Sequence, residues 1–170
     1  MSAPIRPARR DELAALVAIE RDAGRLFAGV GMPEIAADDP GSVAELEPFR
    51  AVGRAWVAVD DADRPVAYLL SAVVDGCAHV EQVSVAPSHA RRGLGAALVD
   101  HLAATAAGEG RPAVTLTTFR DVPWNAPYYE RLGFRVIAPA DQGPELAALV
   151  AEEAERIPGD APRVAMRRAV

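Results

Sequence analysis

The hydrophobic and polar positions of the chain follow two different periods. After a short strand-like segment at Ile5–Pro7, apolar side chains recur at helical spacing over 11–27. From Arg54 the spacing changes to that of strands, and the strand-like segments are joined by short turns. These segments are 54–59, 65–74 and 78–85. Three successive strands with short links predict an antiparallel meander.

Between the first helix and the meander the pattern is broken. Glycine, proline and paired aspartates over 27–41 predict a long surface loop, and long loops in small domains are often binding loops. Ser42 followed by Glu45 is typical of a capping box, which predicts a short helix running through Phe49.

The second half of the chain alternates helix and strand. A helix over 93–107 is followed by a strand over 113–118, and this order predicts a parallel pair with a right-handed crossover. The remaining predicted elements are a loop over 119–127, a short helix over 126–132, a strand over 134–137, an amphipathic helix over 145–157 and a strand over 163–168.

Length and composition bound the fold class. A chain of 170 residues with 51% hydrophobic and 25% charged residues is typical of one globular domain. We therefore predict a single α/β (mixed α+β) domain over 1–170, with a twisted mixed sheet of about six or seven strands and helices on both faces. The chemistry-bearing part lies at 54–137, and the helix and strand of 145–168 complete the domain.

Charge and cysteine usage exclude several classes of function. The net charge of −6 argues against a nucleic-acid partner, and all 18 basic residues are arginine. The lone Cys77 rules out an internal disulfide, and no metal-ligand spacing is found. The longest apolar run, 66–74, is far shorter than the ~20 residues of a membrane span, and the first residues do not resemble a signal peptide. We expect a cytoplasmic protein without a membrane partner.

The stretch 83–99 carries the strongest chemical signal. A β-branched strand ends at Pro87 and leads through a basic turn into a helix, whose first N–H groups and dipole favour an anion such as phosphate. The turn contains Arg91, Arg92, Gly93 and Gly95. A dinucleotide fingerprint would need a third glycine where Leu98 stands, and a P-loop would need a lysine. On this pattern alone, an ordinary strand-to-helix turn remains an alternative.

Two motifs together resemble the GNAT superfamily of acyl-CoA-dependent N-acetyltransferases. The motifs are Glu-Gln-Val-Ser-Val-Ala-Pro at 81–87, continued by Arg-Arg-Gly-Leu-Gly-Ala-Ala-Leu at 91–98, and Asn-Ala-Pro-Tyr-Tyr-Glu-Arg-Leu-Gly-Phe at 125–134. The resemblance covers about residues 5–137. It implies an enzyme that transfers an acetyl group from acetyl-CoA to a primary amine, directly and within a ternary complex, with no metal.

The resemblance also implies the cosubstrate-binding residues. Its phosphate loop matches 90–95, followed by Ala96, so that the backbone of Arg91, Arg92, Gly93, Leu94, Gly95 and Ala96 would hold the pyrophosphate of coenzyme A. The main chain of Val83, Ser84 and Val85 would pair with the pantetheine arm like an added strand, and Asn125 would contact that arm. Ala90 departs from the family pattern, which has glutamine or arginine there.

The same resemblance, together with the chemistry of amine acetylation, indicates the catalytic residues. An amine attacks a thioester only when neutral, so a general base is useful at pH 7. Glu81 and His79 share one face of a strand, and we rank Glu81 first as the base, with a hydrogen-bonded structural role for His79. Tyr129 matches the tyrosine that protonates the departing thiolate.

Two other functions stay open on the sequence. A non-catalytic acyl-CoA-binding or regulatory module would bind coenzyme A without acetyl transfer, and a nucleotide-binding regulator would prefer ATP or NAD. The acceptor, a small-molecule amine or a protein N-terminus, is not identified. The helix over 145–157 is a candidate contributor to a homodimer.

Overall fold

Seven strands form one mixed sheet in the computed structural model, which describes residues 3–170. The strands are β1 (Ile5–Pro7), β2 (Ala55–Val59), β3 (Pro65–Val74), β4 (Cys77–Val85), β5 (Ala113–Phe119), β6 (Arg135–Ile137) and β7 (Arg163–Ala169). Their order in the sheet is β1-β2-β3-β4-β5-β7-β6. The predicted fold class, an α/β domain with a mixed sheet, is confirmed.

Six α-helices accompany the strands in this part of the chain. They are α1 (Leu13–Gly24), α2 (Pro33–Ala36), α3 (Val43–Ala51), α4 (Leu94–Gly108), α5 (Ala126–Arg131) and α6 (Pro144–Arg156). The capping box that opens α3 is present, with Ser42 Oγ accepting from the Glu45 N–H and the Glu45 carboxylate accepting from the Ser42 N–H.

The prediction of a long surface loop over 27–41 is wrong up to Ala36, because most of that part is helical. A 3₁₀ helix spans Arg25–Val30 directly after α1, and the four-residue α2 follows it. Gly31 ends the 3₁₀ helix with a φ of 76°, which glycine adopts without strain, and Pro33 opens α2 at the first turn. Such short helical turns bury no continuous stripe, so they leave no periodic signal in the sequence.

The chain divides into two compact units, and the first contains residues 3–72 and 81–102. Here β1 pairs antiparallel with β2, and β2 pairs antiparallel with β3. The second pairing confirms the first link of the predicted meander of β2, β3 and β4, and β4 lies next to β3 in the sheet. Buried side chains from α1, α3, β2 and β3 form its core: Leu13, Leu16, Ile19, Leu46, Val57, Val59, Tyr68 and Leu70. The first half of α4 belongs to the same unit and buries Leu94, Leu98 and Val99. The His101 ring packs edge-on against the Trp56 ring, with a centroid distance of 5.7 Å.

The second unit contains residues 73–80 and 103–170. Its central strand, β5, pairs antiparallel with β7 over its whole length, and β7 pairs with β6. On its other side β5 pairs parallel with β4 through Ala78–Val80, opposite Val114–Leu116. This pairing confirms the predicted parallel pair of β4 and β5, and β4 continues for five residues beyond the last of these pairs. The single-domain assignment stays a prediction.

Candidate active site

The candidate residues fall in both units, and each set is described by itself. The first unit holds Glu81, the Val83–Val85 stretch and the turn from Arg91 to Ala96. The second holds Asn125 and Tyr129, which lie one helical turn apart because the Asn125 carbonyl accepts the Tyr129 N–H at 3.0 Å.

The turn before α4 has the backbone of an anion cradle. Arg91 and Gly93 have positive φ angles of 59° and 77°, while Arg92 between them does not. Alternation of this kind points successive N–H groups to one side, which makes a concave anion site. The Ala97 N–H is the first to bond back, to the Gly93 carbonyl at 2.9 Å. The N–H groups at the first positions of α4, beginning with Leu94, therefore have no partner within the helix.

Open space and positive charge surround this cradle. Arg91, Arg92 and Gly93 are exposed, and a Cβ built on Gly93 meets no atom within 4 Å. Arg92 donates to the Ser88 carbonyl at 3.4 Å, so its guanidinium folds back over the 3₁₀ turn Pro87–His89. Ala90, at the family's glutamine or arginine position, offers no polar side chain. The two arginines supply the side-chain charge of the turn.

The side chains at the end of β4 become less exposed from Glu81 to Ser84. Glu81 is exposed, Val83 and Val85 are half-buried, and Ser84 is buried. Gln82 shares the face of Ser84 and donates from its side-chain amide to Ser84 Oγ at 2.8 Å. Glu81 and Gln82 are therefore neighbours in sequence whose side chains leave opposite faces of the strand.

Asn125 is held by a threonine that the sequence did not single out. Its Nδ2 donates to Thr118 Oγ1 on β5 at 2.7 Å, while its Oδ1 is buried and accepts from no residue between 3 and 170. Leaving a buried carbonyl unpaired costs about 1–3 kcal/mol. The period-2 register of β5 is the one sequence signal for Thr118, because it assigns Thr118 to one face of the strand and Thr117 to the other.

The hydroxyl of Tyr129 is protonated at neutral pH. Its ring is 8% exposed and packs edge-on against Phe134 and Tyr128, with centroids 5.7 and 5.5 Å away. Burial, and secondarily the neighbouring Tyr128, raise the pKa of Tyr129 above its usual value. Within residues 3–170 no side chain or backbone group hydrogen-bonds to its hydroxyl, so the O–H can donate to a bound ligand.

His79 has the structural role ranked first for it. It is 1% exposed, and its Nδ1 lies 2.8 Å from Thr115 Oγ1 on the neighbouring strand. Burial lowers the pKa of His79 to about 4, so the ring is neutral at pH 7. A ring enclosed in this way has no path to an acceptor amine.

A partly buried polar pair in the first unit was not predicted from the sequence. The hydroxyl of Tyr68, on β3, donates to Glu20 Oε2 on α1 at 2.8 Å, and desolvation raises the pKa of Glu20. The two residues are 48 positions apart, and nothing local in the sequence connects them. Only the packing of α1 on the sheet brings them together.

A cavity of about 300 Å³ opens in the second unit between β5, β7 and α6. Arg163 lies along it and pairs with Glu153 at 3.4 Å, while its guanidinium covers the Phe119 ring at 4.7 Å. Burial lowers the pKa of Arg163, against the raising effect of Glu153. Within this cavity Arg163 and Glu153 therefore pair with each other.

The described residues hold neither a cluster of metal-binding side chains nor a helix that could span a membrane. Residues 3–170 contain no group of three or more histidine, cysteine, aspartate or glutamate side chains able to hold a metal ion. In the same part of the chain no helix has both the length and the apolar content needed to cross a bilayer.

Comparison with solved structures identifies the fold. N-acetylglutamate synthase from Neisseria gonorrhoeae, complexed with coenzyme A and N-acetyl-glutamate, superposes with a TM-score of 0.76 at 13% identity, over 99% of this chain but 35% of the synthase. This chain thus spans about a third of that protein. Rv2747 from Mycobacterium tuberculosis, in complex with CoA and NLQ, gives a TM-score of 0.73 at 18% identity, covering 98% of this chain and 99% of the other. The ribosomal-protein-S18-alanine N-acetyltransferase from Escherichia coli gives 0.67 at 19%, covering 98% and 93%.

The sequence itself matches one family model. The model of the acetyltransferase (GNAT) family aligns with residues 14–134, a span that includes the cradle, the end of β4, Asn125 and Tyr129. That span is well over half of the chain. The chain therefore belongs to the acetyltransferase (GNAT) family, and it is an N-acetyltransferase that uses acetyl-CoA.

Proposed function

We propose that this acetyltransferase moves the acetyl group to a primary amine by direct transfer, with acetyl-CoA and the amine bound together. The observation that carries the proposal is the turn before α4, where Arg91 and Gly93 alternate in the sign of φ with Arg92. Backbone of this shape at a helix N-terminus fits the pyrophosphate of coenzyme A. Arg91 and Arg92 add charge-assisted contacts to the same phosphates.

The pantetheine arm is held further along the same motif. The main chain of Val83–Val85 follows the last residue of β4 that pairs with β5, so its groups are suited to pairing with an extended ligand. We propose Asn125 as a further contact of the arm, because its buried Oδ1 has no donor within residues 3–170 and can accept an amide N–H.

The chain contributes a base and an acid to the reaction. Acetyl-CoA supplies an activated thioester carbonyl. Glu81, exposed on β4, takes a proton from the acceptor's ammonium, because a free alkyl amine is mostly protonated at pH 7. Tyr129 holds its proton at Oη and delivers it to the sulfur as the carbon–sulfur bond breaks. Cys77 is buried and has no role as an acyl carrier, which favours direct transfer.

The acceptor is proposed only by class. The similar structures include a synthase solved with N-acetyl-glutamate and an enzyme named for an alanine of ribosomal protein S18, so both amino acids and protein N-termini are candidates. We propose the cytoplasm as the location, where acetyl-CoA is available. A homodimer to which α6 contributes stays a prediction.

Release of the free thiol of coenzyme A tests the proposal. The native enzyme is assayed with L-glutamate, spermidine, tyramine and a short peptide beginning with alanine. Tyr129→Phe is expected to lower kcat about 100-fold with the best acceptor and to leave the Kd for coenzyme A within about twofold. Tyr128→Phe, the neighbouring residue on α5, is the matched control and should leave kcat nearly unchanged. Equal kcat values for Tyr129→Phe and the native enzyme would remove Tyr129 as the acid.

A further inference from the structure

The cavity of about 300 Å³ in the second unit lies between the sheet and α6. Its sheet wall includes Thr117 and Phe119 of β5 and Arg163 of β7, which is the cross-strand partner of Phe119. Its helix wall is an apolar stripe of side chains four and then three positions apart on α6 and its C-cap: Val150, Ala154 and Ile157. The volume is about ten times that of a water molecule in the liquid, which suits a small organic ligand.

Arg163 and Glu153 form a neutral pair in this cavity, and Thr117 joins them. The Thr117 hydroxyl donates to Glu153 Oε1 at 2.9 Å, and Arg163 Nη2 donates to Glu153 Oε2 at 3.4 Å and to Thr117 Oγ1 at 3.3 Å. The two charged side chains are 20% and 14% exposed, so both are largely removed from water. A further anion would therefore meet Glu153, and a further cation would meet Arg163, each with a cost of desolvation. Asp160, the remaining charged residue of the lining, is exposed and screened by solvent.

One donor of Arg163 has no partner. Its Nε is buried and donates to no group within residues 3–170. A guanidinium stays protonated in proteins, so Nε always carries a hydrogen. The Phe119 ring, 4.7 Å from the guanidinium carbon, and the contacts of Nη2 hold the group in place. A ligand that brings an acceptor atom to this N–H gains a hydrogen bond to a charged donor, which is stronger than one between neutral groups.

We propose that this cavity binds a small neutral amide with one apolar substituent: the carbonyl oxygen accepts from Arg163 Nε, and the substituent packs against the apolar stripe of α6. A carbonyl oxygen supplies the acceptor without adding a charge beside Glu153. A protonated amine has no acceptor to offer, and a carboxylate adds a second anion. Acetylated amines and peptide groups both contain such an amide.

The site is separate from the proposed contacts of the cosubstrate. Thr117 leaves β5 on the face opposite to Thr118, which is the partner of Asn125. Neither Asn125 nor Tyr129 lines the cavity. The inference therefore does not rest on the proposed acetyl transfer, and it gives this acetyltransferase a second ligand.

Nuclear magnetic resonance of the ¹⁵N-labelled native enzyme tests the proposal without turnover. A buried Nε–H exchanges slowly with solvent, and Arg163→Lys assigns its signal by removing it. The probes share one carbon skeleton: 4-methylpentanamide, 4-methylpentanoate and 4-methylpentylammonium. The amide should shift the Arg163 Nε–H signal saturably. The carboxylate should bind at least about fivefold more weakly, and the ammonium ion should leave the signal in place.

A variant that fills the cavity tests the location without altering Arg163. Ala154→Leu adds an apolar side chain to the stripe, and leucine is a good helix former, so α6 is retained. In this variant 4-methylpentanamide should no longer shift the Nε–H signal. Ala148→Leu makes the same change at an exposed position of α6 outside the cavity, and it should bind the amide like the native enzyme.

Two larger amides distinguish the sources of this chemistry. N-(3-methylbutyl)acetamide is an acetylated amine with one carbonyl, and N-acetylalanine methylamide is a peptide model of similar size with two. The acetylated amine should bind more tightly, because the second amide of the peptide model would be buried without a partner. The reverse order would overturn the assignment to an amide with a single apolar substituent.

The other outcomes that overturn the proposal come from the same titrations. No saturable shift with 4-methylpentanamide, or the same shift in Ala154→Leu as in the native enzyme, would show that the cavity does not bind an amide. Equal affinities for 4-methylpentanamide and 4-methylpentanoate would show that the site does not select a neutral carbonyl. A saturable shift with the ammonium ion alone would make the cavity a cation site.

Discussion

Asn125 Nδ2 donates to Thr118 Oγ1 at 2.7 Å, while the buried side-chain oxygen of the same residue, Oδ1, has no donor within residues 3–170. A folded protein tolerates such an unpaired group at a cost of about 1–3 kcal/mol, and a ligand that supplies the donor recovers that free energy on binding. We propose that an amide N–H of the cosubstrate supplies this missing donor.

Asn125→Ala should weaken coenzyme A binding about tenfold while changing the free energy of unfolding by less than about 1 kcal/mol. The small effect on stability is expected because the variant loses one hydrogen bond and also one unpaired carbonyl. Calorimetry measures the affinity for coenzyme A, and urea denaturation measures the free energy of unfolding. Thr118→Val, nearly isosteric, frees the Asn125 amide to rotate, so it should weaken binding less, and the double variant should be no weaker than Asn125→Ala. Unaltered binding in Asn125→Ala would end the assignment to the cofactor arm.

Arg91→Ala or Arg92→Ala should raise KM for acetyl-CoA about fivefold and leave KM for the amine unchanged. Both side chains are exposed, so each phosphate contact is expected to contribute only about 1 kcal/mol. The effect should shrink in high salt, which screens exposed charges. Arg64→Ala removes one charge from the β2–β3 turn and serves as the control. A larger rise for the amine than for acetyl-CoA would mean that the turn before α4 does not bind the phosphates.

His79 makes stability depend on pH in a defined window. Burial lowers its pKa to about 4 in the fold, against ~6.5 in an unfolded chain. The unfolded state alone binds the proton between these values, so the contribution of the neutral ring is complete above about pH 6.5 and lost as the pH falls toward 4. At about 1.4 kcal/mol per pKa unit the loss is about 3 kcal/mol.

The isosteric variant His79→Asn tests this window. Its amide can take the position of Nδ1 opposite Thr115 and does not titrate. Urea unfolding at pH 7 and pH 4.5 should show a smaller loss of stability in the variant than in the native protein. Equal losses in the two proteins would show that other groups cause the acid sensitivity.

The sequence predicted most of the fold because its main elements carry regular patterns. The β-branched run of β4, the helix α4 that the glycines introduce and the amphipathic α6 each begin and end within a few residues of the predicted bounds. The 3₁₀ helix at Arg25–Val30 was missed because its six residues are too few for a helical repeat to be detected.

The candidate site was predictable only where its residues are close in sequence. The motifs identify the turn before α4 and the Asn125–Tyr129 turn, since each is a local run. Side-chain partners from distant elements have no such signal. Thr118 for Asn125, and Glu20 for Tyr68, are fixed by the register of strands and by helix packing, which a single sequence does not encode locally.

Asp75, in the turn between β3 and β4, caps a helix 70 residues away. Its Oδ1 and Oδ2 accept the backbone N–H groups of Glu145 and Leu146 at 3.1 and 2.9 Å, and its own N–H donates to the Glu145 carboxylate. Gly143, at the N-cap of α6, makes room for this arrangement, because a Cβ there would overlap the Asp75 carboxylate.

The cap and the glycine should therefore behave as one unit in unfolding experiments. Asp75→Ala should cost about 1–2 kcal/mol for the lost cap. Gly143→Ala should cost about as much, because the new methyl group displaces the same carboxylate. The double variant should be scarcely less stable than Asp75→Ala alone, since the methyl group then has nothing to displace. Costs that simply add would show that Gly143 acts on stability independently of Asp75, through the backbone of the helix start.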